Sequence, residues 1–311
     1  METILYLTAR LVIAILQSLP LTWVARIGRA GGAIFYRLDA RHRKVALKNL
    51  TRCFADEKSS DDIRVIAREN FRRIGENFCC AAKTASMTPS QLQRHLKLGG
   101  AENFLPQPGE PPQTRVVAIG HFGNFELYAR FGQFIPQFQC ATTYRGLRQP
   151  SLNRLLQSMR EKSNCVYFER RTDAAALKAA MSQPALILGL LADQHAGHNG
   201  LRLPFFGEDC STSAAPALFA LRYRCPLNTG ICYRTGLAQW RLEAGPEIPT
   251  QENGKPRTAE AIMGDVNRAF ETAIRRDPAN WFWVHNRWKP RSLKNRNVKT
   301  EPREPEISAM S

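Results

Sequence analysis

The chain has 311 residues, 44 Lys and Arg against 27 Asp and Glu, a formal charge of +17 and a pI near 10.0. That length suits one α/β core with an N-terminal helical extension, and that charge calls for a polyanionic partner: nucleic acid, anionic lipid or an acidic protein. No zinc-finger spacing, ribonucleoprotein motif or glycine-lysine loop occurs, so nucleic acid is not the expected partner, and eight cysteines scattered without a Cys-x2-Cys pair argue for reduced thiols rather than a disulfide framework or a zinc site.

Residues 3–19 are mostly apolar, but Arg10 interrupts them, and the run 11–16 is far too short for about 30 Å of hydrocarbon. Pro20 breaks the segment. Residues 21–38 resume it with Trp23, Phe35 and Tyr36 beside Arg26, Arg29 and Arg37, the composition of a helix lying in a membrane interface; two ordinary core helices are the alternative. No small-residue cleavage site follows a basic start, so a secretory signal peptide is not expected. Arg41, Arg43, Lys44, Lys48 and Arg52 add attraction to an anionic leaflet, worth about 1 kcal/mol for each basic residue near the surface. Residues 61–83 repeat apolar positions at helical spacing (Ile63, Ile66, Ala67, Phe71, Ile74, Phe78), and Thr88-Pro89 opens a short helix.

The middle of the chain alternates strand-like and helix-like pieces, as a mainly parallel central sheet flanked by helices requires. The predicted strands are Arg115–Ile119, 138–143, 164–168, 185–192, 226–233 and 239–244; the predicted helices are 125–133, 150–162, 173–182, 213–223 and 257–275. Three parts follow: membrane-associated helices over 1–38, an α/β domain with a helical lead-in over 39–289, and a proline-rich, polar, disordered tail over 290–311.

The run Val116-Val117-Ala118-Ile119-Gly120-His121-Phe122-Gly123-Asn124-Phe125-Glu126 concentrates the chemistry. An apolar strand leads into a glycine-bearing turn, with Asn124 as the expected N-cap of the next helix. On one continuous α-helix His121 and Glu126 would stand about 140° apart. With His121 on the turn and Glu126 in the first helical turn, the carboxylate can accept the imidazole Nδ1–H and leave Nε2 free as a general base. No serine or cysteine nucleophile accompanies the pair. Ligands of open α/β sheets collect outside the carboxyl ends of the strands. The segments there are Tyr144-Arg145, Glu169-Arg170-Arg171-Thr172-Asp173 and Asp193-Gln194-His195-Ala196-Gly197. Asp193, His195, His198 and His121 lack a helix-borne His-x3-His pair, so no metal is expected.

These motifs resemble the bacterial lipid A late acyltransferases, part of the glycerolipid acyltransferase group marked by His-x4-Asp or His-x4-Glu. The resemblance runs over most of the chain. It implies His121 and Glu126 as a catalytic dyad, Tyr144 and Arg145 near donor and acceptor, and Arg171 as a phosphate- or oxyanion-binding guanidinium. Asp193 is similar to the family's Asp-x-x-x-Gly element and is expected to be an orienting carboxylate at the mouth of the site. Pro204-Phe205-Phe206-Gly207 is similar to a family segment whose aromatics suit an acyl-chain pocket. Trp281-Phe282-Trp283-Val284-His285-Asn286-Arg287 resembles the terminal Trp-x-His-x-Arg segment. As a strand it would place Trp281, Trp283, His285 and Arg287 on one face, in supporting roles.

The expected function is therefore an O-acyltransferase on the cytoplasmic face of the bacterial inner membrane, moving a fatty acyl chain from a thioester to a hydroxyl of a lipid A precursor. The expected partners are anionic membrane lipids and an acyl carrier protein, preferred over coenzyme A as donor, with no cofactor. A different bacterial amphiphile as acceptor, such as a phosphatidylinositol mannoside or an aminolipid, is the alternative within the class. A non-enzymatic basic protein bound to membrane or nucleic acid is the alternative outside it.

Overall fold

The computed structural model describes residues 2–106 and 109–289; the expected tail, 290–311, lies outside the described residues. Four helices lead the chain: α1 (Glu2–Ser18), α2 (Leu21–Leu38), α3 (Ala40–Phe54) and α4 (Ser60–Thr84), with Pro20 separating the first two as the sequence predicts. A capping box between Ser59 and Asp62 starts α4, with Asp61 and Asp62 in its first turn and Lys83 in its last. The short helix α5 (Pro89–Gln93) follows.

Strands β1 (Leu96–Gly99), β2 (Arg115–Ile119), β3 (Gln139–Tyr144), β4 (Cys165–Glu169) and β5 (Leu186–Leu191) come next, with helices α6 (Pro150–Arg160) and α7 (Ala174–Met181) between them. The hairpin β6 (Leu201–Phe205) and β7 (Glu208–Thr212) leads to helix α8 (Ala215–Tyr223) and the long pair β8 (Leu227–Gly236) and β9 (Gln239–Glu247). A small hairpin, β10 (Gln251–Glu252) with β11 (Lys255–Pro256), precedes the last long helix, α9 (Ala259–Arg276). The seven-stranded sheet has the order β1-β9-β8-β2-β5-β3-β4, and every neighbouring pair is parallel except β8 with β9. The expected α/β class, with a mainly parallel sheet and an N-terminal helical region, is therefore observed, and the predicted strands match to within a few residues at each end.

The two faces of the sheet are filled differently. Val116, Ala118, Leu186, Leu188 and Leu190 pack into a dense layer with α3, α4, α8 and α9. Val117, Ile119 and Ile187 face the other way, towards Phe104, Ile135 and Phe138 under a 3-10 helix at Phe125–Gln133. That 3-10 helix replaces the α-helix predicted there, and Asn124 makes no capping hydrogen bond. Its tighter winding gives a thin, irregular cover over this face.

Helix α2 is held to α4 by backbone approach. A Cβ at Gly28 would lie 2.5 Å from the Gly75 carbonyl oxygen, one at Gly75 2.1 Å from that of Gly28, and one at Gly32 2.1 Å from that of Phe71. Arg29 of α2 also donates to Glu69 and Glu76 of α4, at 2.9 and 3.2 Å. The expected division after Leu38 thus leaves α2 built into the body, whereas α1 has no fully buried residue. Ile4 (71% exposed), Leu11 (62%), Trp23 (57%) and Leu38 (77%) give the two helices an uncovered apolar surface. Among the described residues no helix is long and apolar enough to cross a membrane.

The glycine crossing predicts opposite effects from one substitution type. Gly75→Ala should lower stability by about 1–3 kcal/mol, because two backbones must separate to admit the methyl group. Gly31→Ala, where a Cβ meets nothing within 4 Å, should gain up to about 1 kcal/mol of helix propensity. Denaturant melts of the two variants check this; equal effects would contradict the crossing.

Candidate active site

His121 stands two residues beyond β2, where the parallel neighbour β5 has just ended and Asp193 follows. The last ladder bond runs from the Ala192 amide to the Ile119 carbonyl, 3.0 Å, so the next residues of both strands meet side by side, about 4.8 Å apart. The His121 backbone amide donates to Asp193 Oδ2 at 2.8 Å, and His121 Nδ1 lies 2.9 Å from Asp193 Oδ1. Gly120 makes room for this, since a Cβ there would press on the Phe122 ring and come 3.1 Å from Asp193 Cγ. Gly123 takes a left-handed φ of 51° and donates its amide to the Asn280 carbonyl, closing the turn.

Asp193 is 1% exposed and accepts a third bond, from Trp281 Nε1 at 2.8 Å. Burial by itself would raise its carboxyl, yet the charge of His121 and the bonds from His121 and Trp281 outweigh it and hold the group below the ordinary carboxylate range. An ionised Asp193 only accepts, so Nδ1 carries the ring proton and Nε2 is left as the basic nitrogen.

The expected dyad partner is placed elsewhere. Glu126 receives Arg160 in a two-pronged pair, 2.8 Å from Nη2 and 3.3 Å from Nε, so the orienting bond that the sequence assigns to it is made by Asp193 instead. The cause is topological: the neighbouring strand delivers a carboxylate straight to the histidine. The 3-10 turn meanwhile sets Glu126 opposite the end of α6. Arg160 also lies over the Tyr167 ring, 4.8 Å from its centroid, and near Tyr144 at 6.0 Å. No feature of the sequence singled out Arg160 among the basic residues of α6.

These groups surround a cavity of about 510 Å³ between the thinly covered sheet face and the 3-10 helix. Its wall combines polar groups, among them His121, Glu126, Tyr144, Arg145, Arg160 and Arg170, with apolar ones, among them Phe104, Ile119, Phe131, Ile187, Leu242 and Ala244. Tyr144 and Arg145 thus belong to the wall as expected. Arg171 does not: its side chain is exposed and away from the cavity, and Arg170 lines the wall, donating to Thr143 Oγ1 at 3.2 Å. Phe205 and Phe206 are not wall residues either. Phe205 packs tilted against Trp288 and Phe206 edge-on against Phe54, in the dense layer on the other side of the sheet.

The segment after α9 braces the site without forming the predicted strand; it makes only an isolated bridge between Phe122 and Trp281. Two buried asparagines suspend it. Asn70 of α4 donates to the carbonyls of Ala279 and Trp281, and Asn49 of α3 to those of Trp283 and His285. Arg287, fully buried, donates to Gln194 O, Ser211 O and Thr212 Oγ1, fixing the loop beyond Asp193. His285 Nε2 accepts the His195 amide at 3.0 Å.

Burial pushes the His285 imidazole down to about 4, so it is neutral in the fold, whereas in the unfolded chain it charges at about 6.5. A folded pKa below the unfolded one means that this contribution to stability is complete above about 6.5 and is lost as the pH falls from there towards 4. His285→Gln, whose Oε1 can still accept the His195 amide, should flatten that part of the stability profile. Identical acid dependence of the two proteins in denaturant melts would exclude His285 as its source.

The family model described as bacterial lipid A biosynthesis acyltransferase matches residues 2–290. The lipid A biosynthesis palmitoleoyltransferase of Escherichia coli (strain K12) is 26% identical over 287 residues, covering 89% of this chain and 88% of that protein. The lauroyltransferase of the same organism is 22% identical over 285 residues, 90% of each chain, and the Haemophilus influenzae lipid A biosynthesis acyltransferase is 25% identical over 284 residues, 88% of this chain and 86% of that one. With its α/β fold, its histidine at the strand end and a family match over nearly its whole length, the chain belongs to the bacterial lipid A biosynthesis acyltransferases.

Proposed function

We propose that His121 Nε2 removes the proton from a hydroxyl of an anionic lipid A precursor as that oxygen attacks the carbonyl carbon of an acyl thioester. The C–S bond then breaks, the thiolate leaves, and the His121 imidazolium returns the proton to sulfur. The observation that carries this reading is the spending of Nδ1 on a buried carboxylate, with the ring on the wall of a largely apolar cavity. Asp193 fixes the tautomer and stabilises the imidazolium. Glu126 positions Arg160, which lines the same cavity.

Direct transfer is favoured over an acyl-enzyme. Cys140 and Cys165 are on the cavity wall, but burial pushes Cys140 up to about 12 and Cys165 higher still, so neither supplies a thiolate at neutral pH. An anionic acceptor suits the cleft beside His195, lined also by His198, Arg202 and Lys289. Burial, and after it the charges of Arg287 and Lys289, hold His195 below its ordinary value. The membrane surface suits α1 and α2, where exposed Ile4, Leu11 and Trp23 alternate with Arg10, Arg26 and Arg37, and Arg26 lies 5.6 Å over the Trp23 ring. The surface addressed is the anionic cytoplasmic leaflet of the inner membrane, and the donor is an acyl carrier protein, an acidic partner for a chain of charge +17.

His121→Ala and Asp193→Asn should each lower kcat by roughly 10²- to 10⁴-fold in folded protein; a folded His121→Ala variant with wild-type rate would remove the mechanism. Matched acyl chains presented on carrier protein and on coenzyme A should show faster turnover with the carrier protein and a rate that falls with salt. A salt-indifferent preference for coenzyme A would reverse the donor assignment. Leu11→Glu combined with Trp23→Glu should release the protein from anionic vesicles while its thermal transition is kept. Undiminished vesicle binding would remove α1 and α2 as the membrane surface.

A further inference from the structure

Two glycines, Gly189 of β5 and Gly230 of β8, lie in mid-strand on the cavity wall. Neither adopts a left-handed φ, so the backbone does not require glycine at either place, and glycine weakens a strand. Space must explain them. For Gly230 the protein itself does so: a Cβ would lie 3.1 Å from both Ile119 Cγ2 and Val117 Cγ1. For Gly189 it does not. A Cβ there would meet only Ile119 Cδ1 at 3.4 Å and the Ala141 carbonyl at 3.8 Å, which are ordinary contacts. The space above Gly189 opens on the cavity, with Ile119 Cδ1 only at contact distance, and would admit a Cβ.

Position supplies the rest. Gly189 is level with Val117 on one side and Thr142 on the other, in the centre of the sheet. Val117 precedes His121 by four residues, so the gap lies roughly 13 Å from the reacting histidine along the strand direction, at about 3.3 Å per residue. A short acyl chain held at His121 ends before reaching it, and a long one passes over it.

We propose that Gly189 keeps the cavity open for the distal part of the acyl chain and so sets the longest chain transferred, making it a specificity-determining residue. This rests on the acyl-transfer reading above. A side chain at Gly189 takes the place of chain methylenes and excludes long donors, leaving short ones untouched.

The test is a series of Gly189→Ala, Gly189→Val and Gly189→Leu, assayed with saturated acyl thioesters from short to long. Expected is a shift of the preferred length to shorter chains in that order, with kcat/KM for long donors falling about fourfold per excluded methylene and short donors retained. An unchanged length profile in Gly189→Leu overturns the proposal. So does a loss uniform across lengths in a folded Gly189→Ala, the variant that introduces no close contact. Displacement of a fluorescent fatty-acid probe by free fatty acids of graded length, on the same proteins, separates this inference from the reaction. Length-dependent displacement that shifts with Gly189 in a protein that transfers no thioester would retain the chain track and remove the reaction. Transfer with no shift would remove the chain track alone.

Discussion

A carboxylate taken out of water must be met by hydrogen-bond donors, because the desolvation cost is several kcal/mol per ion even after relaxation. Asp193 is that carboxylate, and its three donors come from parts of the chain far apart in sequence: the amide and imidazole of His121 and the indole of Trp281. Satisfying it therefore binds the ends of β2 and β5 to the segment after α9. Beyond a single 3-10 turn at Pro278–Asn280 that segment is irregular, so Asn49, Asn70 and Arg287 hold it in place through its backbone and that of the neighbouring loop. The histidine is fixed in one tautomer as a consequence of how a single buried charge is paired.

The asymmetry of the sheet has a similar economy of cause. One face is packed by α3, α4, α8 and α9 into a continuous apolar layer. The other is covered by a 3-10 helix and by side chains that leave room above Gly189, and the cavity occupies what remains. Rigid packing on one side thus supports a hollow on the other. The glycine-mediated contact of α2 with α4 brings the exposed apolar helices onto the same body.

What was legible in the sequence was the part governed by local pattern. The apolar runs at β2 and β5 gave strands, the glycines after β2 gave a turn, and the resemblance carried by His-x4-Glu and Asp-x-x-x-Gly led to the right family. Long-range pairing was not legible. Proximity in the chain favoured Glu126 as the partner of His121, but in a parallel sheet the adjacent strand end is nearer than the next helical turn, and Asp193 occupies it. Arg170 and Arg171 both lie in the turn after β4, where the Arg170 amide still bonds to Tyr144 of β3 and the Arg171 amide folds back onto the Glu169 carboxylate, a local geometry that the sequence pattern does not specify. Phe205 and Phe206 have the composition of a lipid pocket and also that of a core, and only the crossing of β6 to the filled face of the sheet separates the two.

Histidine nitrogen NMR on uniformly ¹⁵N-histidine-labelled protein addresses the pairing of His121 most directly, because the ring shifts distinguish the two neutral tautomers. The His121 resonances, assigned by their loss in His121→Ala, should report a proton on Nδ1 in the wild type. They should do so unchanged in Glu126→Gln and lose that pattern in Asp193→Asn. A tautomer that persists in Asp193→Asn and changes in Glu126→Gln would contradict the account.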